Sequence, residues 1–375
     1  MKQTNSSETV PDYRARLAAV RGAMVEGGID CLLVCSRENI RYLFGFTGSS
    51  GWALITESSA VLMTDSRYDE QARTETTGCE VCISTKGLTE TAAQQLHKCH
   101  VKRVGYESDS MTVATLHTLE STLRENGLDL VLTPTQQIVE RVRSVKDRYE
   151  IAAISAASRL VDGAIDHARS IIRADMTEQT LAWEIERWLR EHGSGPVPFP
   201  VIVAAGPHCA HPHAVSGDNR LACGEPILID IGAVIDGYCS DLSRTLFIGQ
   251  PNDTIRRVYE TVLEAQETAL CRVRAGMSAP EADRLARNVI AQAGYADSFG
   301  HGLGHGVGLA IHERPTVSSL STDILRKGMV FTIEPGIYLR GLGGVRIEDT
   351  VVLRESGVQL LTHTDKRNPV LCATC

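Results

Sequence analysis

The chain has 375 residues, of which 43% are hydrophobic and 22% charged, a composition typical of a folded protein with room for two domains. Its formal net charge of -8 argues against a broad cationic surface. We therefore expect neither a nucleic acid nor a membrane among its partners.

The amino-terminal residues, MKQTNSSETVPDYR, are polar and lack the apolar segment of a secretory signal. Nowhere do eighteen uncharged apolar residues follow one another, so no membrane-spanning helix is expected. These features predict a cytoplasmic protein whose eleven cysteines are reduced thiols. Two CxxC pairs, Cys79 with Cys82 and Cys372 with Cys375, have no neighbouring histidine or cysteine set that would complete a structural zinc site.

Short apolar runs such as CLLV and WALI alternate with helix-like stretches over the first 143 residues. One such stretch, PDYRARLAAVRGAMVEGG, ends in a Gly-Gly helix stop. This alternation predicts an α/β fold. The charged stretch ERVRSVKDRYE follows, and we place a domain boundary there, which gives domains 1–143 and 144–375.

The second domain begins with an amphipathic helix predicted over 145–172 and a further helix over 177–192. Strands are predicted in VIVAA and PILIDIGAVI. Two helices follow, and the second, over 279–293, begins with the capping-box pattern of Ser278 and Glu281. Further strands end the chain. Helices grouped between antiparallel hairpins predict an α+β fold for this half.

The segment PILIDIGAVIDGYCSDLSRTLFIG contains Asp236-Gly237 between two apolar runs, a strong hairpin signal. With this turn, Asp230 lies opposite Ser243. Asp241 is two residues from that partner, so both carboxylates share one face, about 7 to 8 Å apart at Cα. Two carboxylates on a half-buried face repel each other unless a cation lies between them. A metal ion fits this pattern, and an arginine partner is the alternative.

The segment FGHGLGHGVGLAIHE alternates five glycines with His301 and His305. In an extended chain the two histidines share one face and the glycines share the other, so backbone or substrate can approach closely. His312 has the opposite parity and needs a bend near Ala310 to reach the same cavity. A glycine-rich loop with structural histidines is the alternative. A nucleotide-binding loop is disfavoured, because the segment has no GxGxxG spacing followed by a helix and contains no lysine.

Two further strands are predicted in GMVFTIEPGIYL and GGVRIEDTVVL. Glu334 lies beside a Pro-Gly turn, and Glu348 shares a predicted strand face with Arg346. Apolar residues flank both glutamates, which is costly for a charge without a partner. Surface strands with outward glutamates are the alternative.

Together these segments supply four carboxylates and one imidazole: Asp230, Asp241, His305, Glu334 and Glu348. Such a set of ligands suits hard or borderline metal ions. Manganese is the best match, and the set would bind cobalt, iron or zinc less selectively. Five ligands exceed what one catalytic zinc uses. Two ions about 3.5 to 4 Å apart would account for the count.

Four segments, IDIGAVIDGYCSDLSRT, GHGLGHGVGLAIHERP, FTIEPGIY and GGVRIEDT, resemble in order and spacing the metallopeptidase family of aminopeptidase P, prolidase and methionine aminopeptidase, whose catalytic domain has the pita-bread fold. By this resemblance the same five residues are dinuclear metal ligands. The family's other histidines fall on His213, His301 and His312, which would position the peptide and stabilise the tetrahedral intermediate. Arg346 would orient the site, and Tyr338 would line it.

The segments NIRYLFGFTGSSGWALI and LMTDSRYDEQA resemble the creatinase/prolidase amino-terminal domain. Methionine aminopeptidases usually lack that domain, so the resemblance favours the proline-directed branch. Creatinase shares both domains but not the metal ligands. Ala214 stands where the family commonly has glycine, and PFPVIVA has prolines where a serine or aspartate is more usual, which affects the shape of the substrate pocket.

The resemblance implies hydrolysis of the bond between a first residue and proline in short peptides. Glu334 would carry a proton to the leaving nitrogen, while His213 and His312 would donate to the oxyanion and the peptide carbonyl. The family also implies a homodimer. The alternatives are a metal-dependent lyase or amidohydrolase acting on a small metabolite, and a non-catalytic peptide-binding module.

Overall fold

The computed structural model describes residues 10–371. They form two compact units, one ending at Arg143 and the other beginning at Ser144. Within residues 10–371, no helix is both long enough and apolar enough to span a bilayer.

The first unit is a six-stranded sheet accompanied by helices. Its strands are β1 Cys31–Val34, β2 Trp52–Thr56, β3 Ala60–Asp65, β4 Glu80–Ser84, β5 Arg103–Glu107 and β6 Val131–Thr135. Its helices are α1 Tyr13–Glu26, α2 Arg37–Phe44, α3 Asp69–Glu75, α4 Leu88–Cys99, α5 Val113–Glu125 and α6 Ile138–Arg143. The strand order is β4-β3-β2-β1-β5-β6, with β3/β4, β1/β5 and β5/β6 parallel. The predicted α/β character of this half is confirmed.

Helix α1 illustrates how local sequence sets these elements. The side chain of Asp12 caps its amino terminus. Leu17, Val20 and Met24 recur at helical spacing and are buried. The helix ends at the Gly-Gly stop predicted from sequence, as glycine readily leaves the helical conformation.

The second unit contains longer helices and mostly antiparallel strands. Its helices are α7 Arg148–Ile171, α8 Glu178–Glu191, α9 Asp253–Arg272 and α10 Ala279–Gln292. Its strands are β7 Ile202–Ala205, β8 Pro226–Ile235, β9 Tyr238–Ile248, β10 Gly304–Gly306, β11 Glu313–Val317, β12 Val330–Ile333, β13 Gly336–Leu339, β14 Gly343–Arg346, β15 Asp349–Arg354, β16 Gly357–Leu360 and β17 Val370–Leu371. Short 3-10 turns lie at Gly206–Ala210 and Ala296–Ser298, and the first unit has one at Ser66–Tyr68.

The strands of the second unit form three sheets, ordered β17-β9-β8-β7, β11-β10-β12-β15-β16 and β13-β14. Helices α7 and α8 bury their apolar faces against β7, β8 and β9. Helices α9 and α10 pack in a second core with residues of β12, β13, β14 and β15. The predicted α+β fold is confirmed for this half.

The β8/β9 hairpin has the register predicted from its turn. Asp230 pairs with Ser243, and Gly232 pairs with Asp241. The turn residues Asp236 and Gly237 have φ angles of 49° and 79°, as a two-residue hairpin turn requires. The two carboxylates therefore occupy diagonal positions on one face.

Three strand predictions are wrong in extent. The strand expected from His301 onward begins only at Gly304, and each of the two strands predicted downstream is divided. The chain leaves one sheet for the other at Glu334-Pro335 and returns at residues 347–348. Proline has no N–H to continue a ladder, which accounts for the first break.

The cysteines follow the prediction in part. Cys79 and Cys82 are free thiols, and burial raises the pKa of Cys79 to about 12. The expectation of reduced thiols is wrong at Cys223, which is disulfide-bonded. Cys372 and Cys375 lie outside the described residues.

Candidate active site

The second unit contains a cavity of about 560 Å³. Phe199, Pro200, Ile202 and Val215 contribute to its apolar wall. Nine of the site residues predicted from sequence line it: His213, Asp230, Asp241, His301, His305, His312, Glu334, Arg346 and Glu348. The prediction that Tyr338 also lines the site is wrong, because its hydroxyl is engaged between His301 and Arg346. The fold thus brings together side chains that are up to 135 positions apart, from His213 to Glu348.

His305 lies on β10, which is packed closely on both sides. A Cβ atom at Gly304 or Gly306 would collide with the carbonyl oxygen of Thr332 or Arg314, so the alternating glycines let β11 and β12 approach. The Nδ1 atom of His305 donates to its neighbour's carbonyl oxygen at 3.1 Å. This hydrogen bond leaves Nε2 with a lone pair that faces the cavity carboxylates.

The two glutamates lie at the breaks between strands and are fixed by hydrogen bonds. The backbone N–H of Glu334 donates to Leu303 at 2.8 Å, and Thr332 Oγ1 donates to its carboxylate at 3.0 Å. The backbone N–H of Glu348 donates to Ser243 at 3.1 Å, and the Ser243 hydroxyl donates to its Oε2 at 2.7 Å. The hydroxyl groups of Thr332 and Ser243 therefore orient the two carboxylates.

Asp241, His305 and Glu348 offer ligand atoms that all lie within 4.8 Å of one another. The Nε2 atom of His305 is 3.5 Å from Asp241 Oδ2 and 3.4 Å from Glu334 Oε1. Asp230 differs, because its Oδ2 accepts from Arg346 Nη2 at 2.6 Å. The arginine partner considered from sequence is therefore present, but it pairs with one carboxylate of four.

Among the described residues, no lysine or arginine forms an ion pair with Asp241, Glu334 or Glu348. Burial, reinforced by neighbouring carboxylates, raises the pKa of Asp241 and of Glu348 well above the ordinary range. Burial also raises the pKa of Glu334. The buried Asp230 Oδ1 and Glu348 Oε1 have no hydrogen-bond partner among the described residues. Such an oxygen-rich set with unsatisfied atoms fits divalent cations.

His301 lines the cavity and is held by hydrogen bonds at both ring nitrogens. Its Nδ1 donates to the carbonyl oxygen of Gly302 at 2.8 Å, and its Nε2 is 2.9 Å from the Tyr338 hydroxyl. The same hydroxyl accepts from Arg346 Nη1 at 2.9 Å. Burial lowers the pKa of His301, which favours the neutral imidazole, whose Nε2 can accept from the Tyr338 hydroxyl. Tyr338 thus connects His301 with the guanidinium that holds Asp230.

His312 reaches the same cavity because the backbone bends over residues 308–312, as the parity of the sequence required. Its ring meets that of His305 edge to face, with centroids 4.2 Å apart. Burial lowers the pKa of His312. His213 is exposed at the cavity wall. Two imidazoles outside the carboxylate cluster therefore face the space where a substrate would lie.

Other histidines and cysteines near the site have structural partners. His208 Nδ1 contacts the buried Glu178 carboxylate at 2.8 Å, and the His211 ring packs against His208. Cys209 and Cys239 are buried, and burial raises the pKa of Cys209 to about 12.

Ser243 and Thr332 are site residues that the sequence reasoning missed. Ser243 Oγ donates to Glu348 and accepts from Arg346 Nε at 2.9 Å. Strand alternation could have found Ser243, since it lies two residues after Asp241 on the same face. Thr332 lies two residues before Glu334 and could have been found in the same way.

The fold and the carboxylate-imidazole cavity define the class of a metal-dependent hydrolase. Residues 152–355 match the model of metallopeptidase family M24, and residues 16–145 match the creatinase/prolidase N-terminal domain. The chain belongs to metallopeptidase family M24. The resemblance inferred from its motifs is confirmed, and the family implies divalent metal ions.

Similar proteins include a Xaa-Pro dipeptidase of Pyrococcus horikoshii, 35% identical over 92% of this chain and 95% of the relative. Among solved structures, a Xaa-Pro dipeptidase from Bacillus anthracis is 35% identical, with a TM-score of 0.92 over 96% of this chain and 100% of that one. An X-Pro aminopeptidase from Thermotoga maritima is 36% identical, with a TM-score of 0.84 over 93% and 99% of the two chains. The predicted pita-bread fold with its creatinase-type first domain is confirmed.

Proposed function

We propose that this chain is a dinuclear-metal peptidase that hydrolyses the bond between an amino-terminal residue and a following proline. The observation that carries the proposal is the convergence of four buried or half-buried carboxylates and one imidazole on a single cavity, with two carboxylate oxygens that have no hydrogen-bond partner among the described residues. The relatives named as Xaa-Pro dipeptidase and X-Pro aminopeptidase support the proline specificity.

The proposed metal ligands are Asp230, Asp241, His305, Glu334 and Glu348. Four carboxylates with one imidazole favour manganese, with cobalt, zinc and iron as alternatives. When bound, two divalent ions would lower the pKa of a water molecule and polarise the scissile carbonyl. Elemental analysis of protein purified without added metal tests the identity of the ions.

The protein's own side chains have distinct proposed roles. Glu334, held by Thr332, would accept a proton from the nucleophile and deliver it to the leaving proline nitrogen. His213 and His312 would donate hydrogen bonds to the peptide carbonyl and the developing oxyanion, each worth about 3 kcal/mol in comparable sites. Arg346 would hold Asp230, and His301 would hold Tyr338 against Arg346.

The cavity also suits the proposed substrate in size and polarity. A volume of about 560 Å³ is typical of sites for small ligands and accommodates a short peptide. Phe199, Pro200 and Val215 offer an apolar wall that would contact a pyrrolidine ring without hydrogen-bonding demands.

The proposal is tested with manganese-loaded protein and two substrates, Gly-Pro and Arg-Pro-Pro. Release of the first amino acid from the tripeptide alone indicates an aminopeptidase, and cleavage of the dipeptide alone indicates a dipeptidase. If neither is cleaved, the peptidase assignment fails, and the alternatives are a lyase or amidohydrolase on the same scaffold and a non-catalytic peptide-binding module. In Asp241→Ala, metal content and activity should both fall, and an unchanged metal stoichiometry would refute its role as a ligand.

We further propose that the chain works in the cytoplasm as a homodimer, the assembly that the family resemblance implies. Light scattering coupled to size-exclusion chromatography measures the mass in solution. A mass of one chain, 40.7 kDa, would contradict the dimer. Cell fractionation tests the location.

A further inference from the structure

The backbone that carries His301 is held by an ion pair on a neighbouring helix. Residues 299–303 contain Gly300 and Gly302 and belong to no strand, so local sequence leaves this backbone free. Helix α10, fixed at its start by the capping box of Ser278 and Glu281, runs beside it. Its residues Asp283 and Arg287 face the segment.

Asp283 and Arg287 form a bidentate pair one helical turn apart. Arg287 Nε donates to Asp283 Oδ2 at 2.7 Å, and Nη2 donates to Oδ1 at 2.9 Å. The Asp283 carboxylate is fully buried, and the Arg287 side chain is 29% exposed. A charge-assisted fork of this kind has a fixed orientation and is stronger than a neutral hydrogen bond.

The pair binds the backbone at every second residue of the segment. Arg287 Nη1 donates to the Phe299 carbonyl at 2.9 Å, and Nη2 donates to the His301 carbonyl at 2.8 Å. The Leu303 N–H donates to Asp283 Oδ1 at 3.1 Å. The guanidinium also stacks on the Phe299 ring, 4.3 Å from its centroid. The ion pair thus supplies the hydrogen bonds that a neighbouring strand would otherwise supply.

We infer that Asp283 and Arg287 are positioning residues, which act through His301 on the centre; this inference rests on the proposed function. From His301, hydrogen bonds lead through Tyr338 and Arg346 to Asp230. A shift of the glycine-rich backbone would therefore displace the imidazole and loosen the hydroxyl that Arg346 uses. Displacements of about 1 Å in such a chain reduce rates by up to roughly 100-fold.

The test is a double-mutant cycle on peptide hydrolysis. We expect Arg287→Met to lower kcat/KM by about tenfold or more, and we expect the same change to cost less than about twofold in a His301→Ala background. Arg287→Lys retains the charge but cannot reach both carbonyl groups, so it should restore only part of the activity. Equal losses in both backgrounds would overturn the inference.

The matched control is Arg190→Met on α8, which removes an i,i+4 pair with Glu186 away from the segment. We expect it to leave kcat/KM unchanged. If Arg287→Met fails to fold, Arg287→Lys replaces it in the same cycle. The loss in kcat/KM that Arg287→Lys causes is then compared between the wild-type and His301→Ala backgrounds.

A second readout does not depend on activity. Nitrogen NMR of ¹⁵N-histidine protein, with the His301 signals assigned from His301→Ala, reports the tautomer and hydrogen bonding of this ring. We expect Arg287→Met to shift the Nε2 signal, and an unchanged signal would contradict the inference. If the wild-type protein cleaves neither test peptide, the proposed function fails while the NMR result still decides the role of the pair.

Discussion

Glu348 and Asp349 are adjacent in sequence and almost fully buried, yet their surroundings are opposite. The Asp349 carboxylate accepts from Arg244 Nη2 at 2.7 Å and is paired with Lys366. Glu348 accepts from the Ser243 hydroxyl, and its Oε1 has no partner among the described residues. Despite its burial, the cations hold the pKa of Asp349 below its usual range, whereas burial beside other carboxylates raises that of Glu348.

The difference shows how one backbone segment places two buried carboxylates in opposite surroundings, one paired with cations and the other facing the cavity. Neighbouring side chains in extended backbone point to opposite sides, so one carboxylate enters a cationic network and the other enters the cavity. Removing a buried carboxylate that is fully paired destabilises the fold, because its cationic partners are left buried without a counter-charge. A carboxylate left with an orphan oxygen destabilises the fold until a cation binds, and this is expected of a metal ligand.

The largest effect should come from Glu348→Ala. We expect activity to fall about 10³-fold or more, because loss of a proposed ligand would remove metal chemistry worth several kcal/mol. The metal-free variant should be more stable than metal-free wild type, since an unneutralised buried carboxylate is gone. Steady-state kinetics and urea unfolding in chelator measure the two quantities. Lower stability without metal would contradict the contrast with Asp349.

The main effect of Asp349→Asn should be a loss of stability rather than a direct loss of activity. We expect a loss of about 3 to 5 kcal/mol in the free energy of unfolding, because Arg244 and Lys366 would lose their buried counter-charge. Urea denaturation of metal-free protein measures it. Glu355→Gln, which removes an exposed pair with Lys327, is the control and should change little. A small loss for Asp349→Asn would show that its network is not stabilising.

Glu107 extends the comparison to the first unit. It accepts from the N–H groups of Cys35 and Ser36 and from Asn39, yet burial raises its pKa to about 7. The folded state therefore binds more protons than the unfolded state between about pH 4.5 and 7, and stability falls as pH rises through this window by up to about 3 kcal/mol.

Hydrogen exchange of the β1 and β5 amides across this pH range, analysed as opening free energies, checks the prediction. In Glu107→Gln this dependence should be absent. In Glu57→Gln, an exposed control on the same unit, it should persist. A flat profile in the wild-type protein would show that the hydrogen bonds keep Glu107 ionised.

Ser243→Ala should give the smallest effect. It removes the hydroxyl that joins Glu348 to Arg346 but leaves every proposed ligand in place. We expect metal affinity to fall about 10- to 100-fold, as is usual when a group orienting a ligand is lost. Competition with a metallochromic chelator measures the affinity. Ser240→Ala, at another buried serine on β9, is the comparison and should retain normal affinity.

Much of the candidate site could be predicted because it rests on short-range rules. The Asp236-Gly237 turn fixes the β8/β9 register, and alternation then places Asp230 and Asp241 on one face. The glycine pattern predicted a strand with a closely packed back at His305. These rules fail where the chain departs from regular structure, as at Glu334 and Glu348.

The sequence by itself determined the helices of the second unit, the hairpin register and nine of the residues that line the cavity, because periodicity, turn chemistry and motif spacing are local properties. Only the tertiary structure decided which carboxylates are paired and which are left with orphan oxygens. Asp230 meets Arg346, Asp349 meets Arg244, and the backbone of His301 is held by Arg287. Such pairings depend on how sheets and helices pack, since burial and charge at each carboxylate are set by residues far away in the chain.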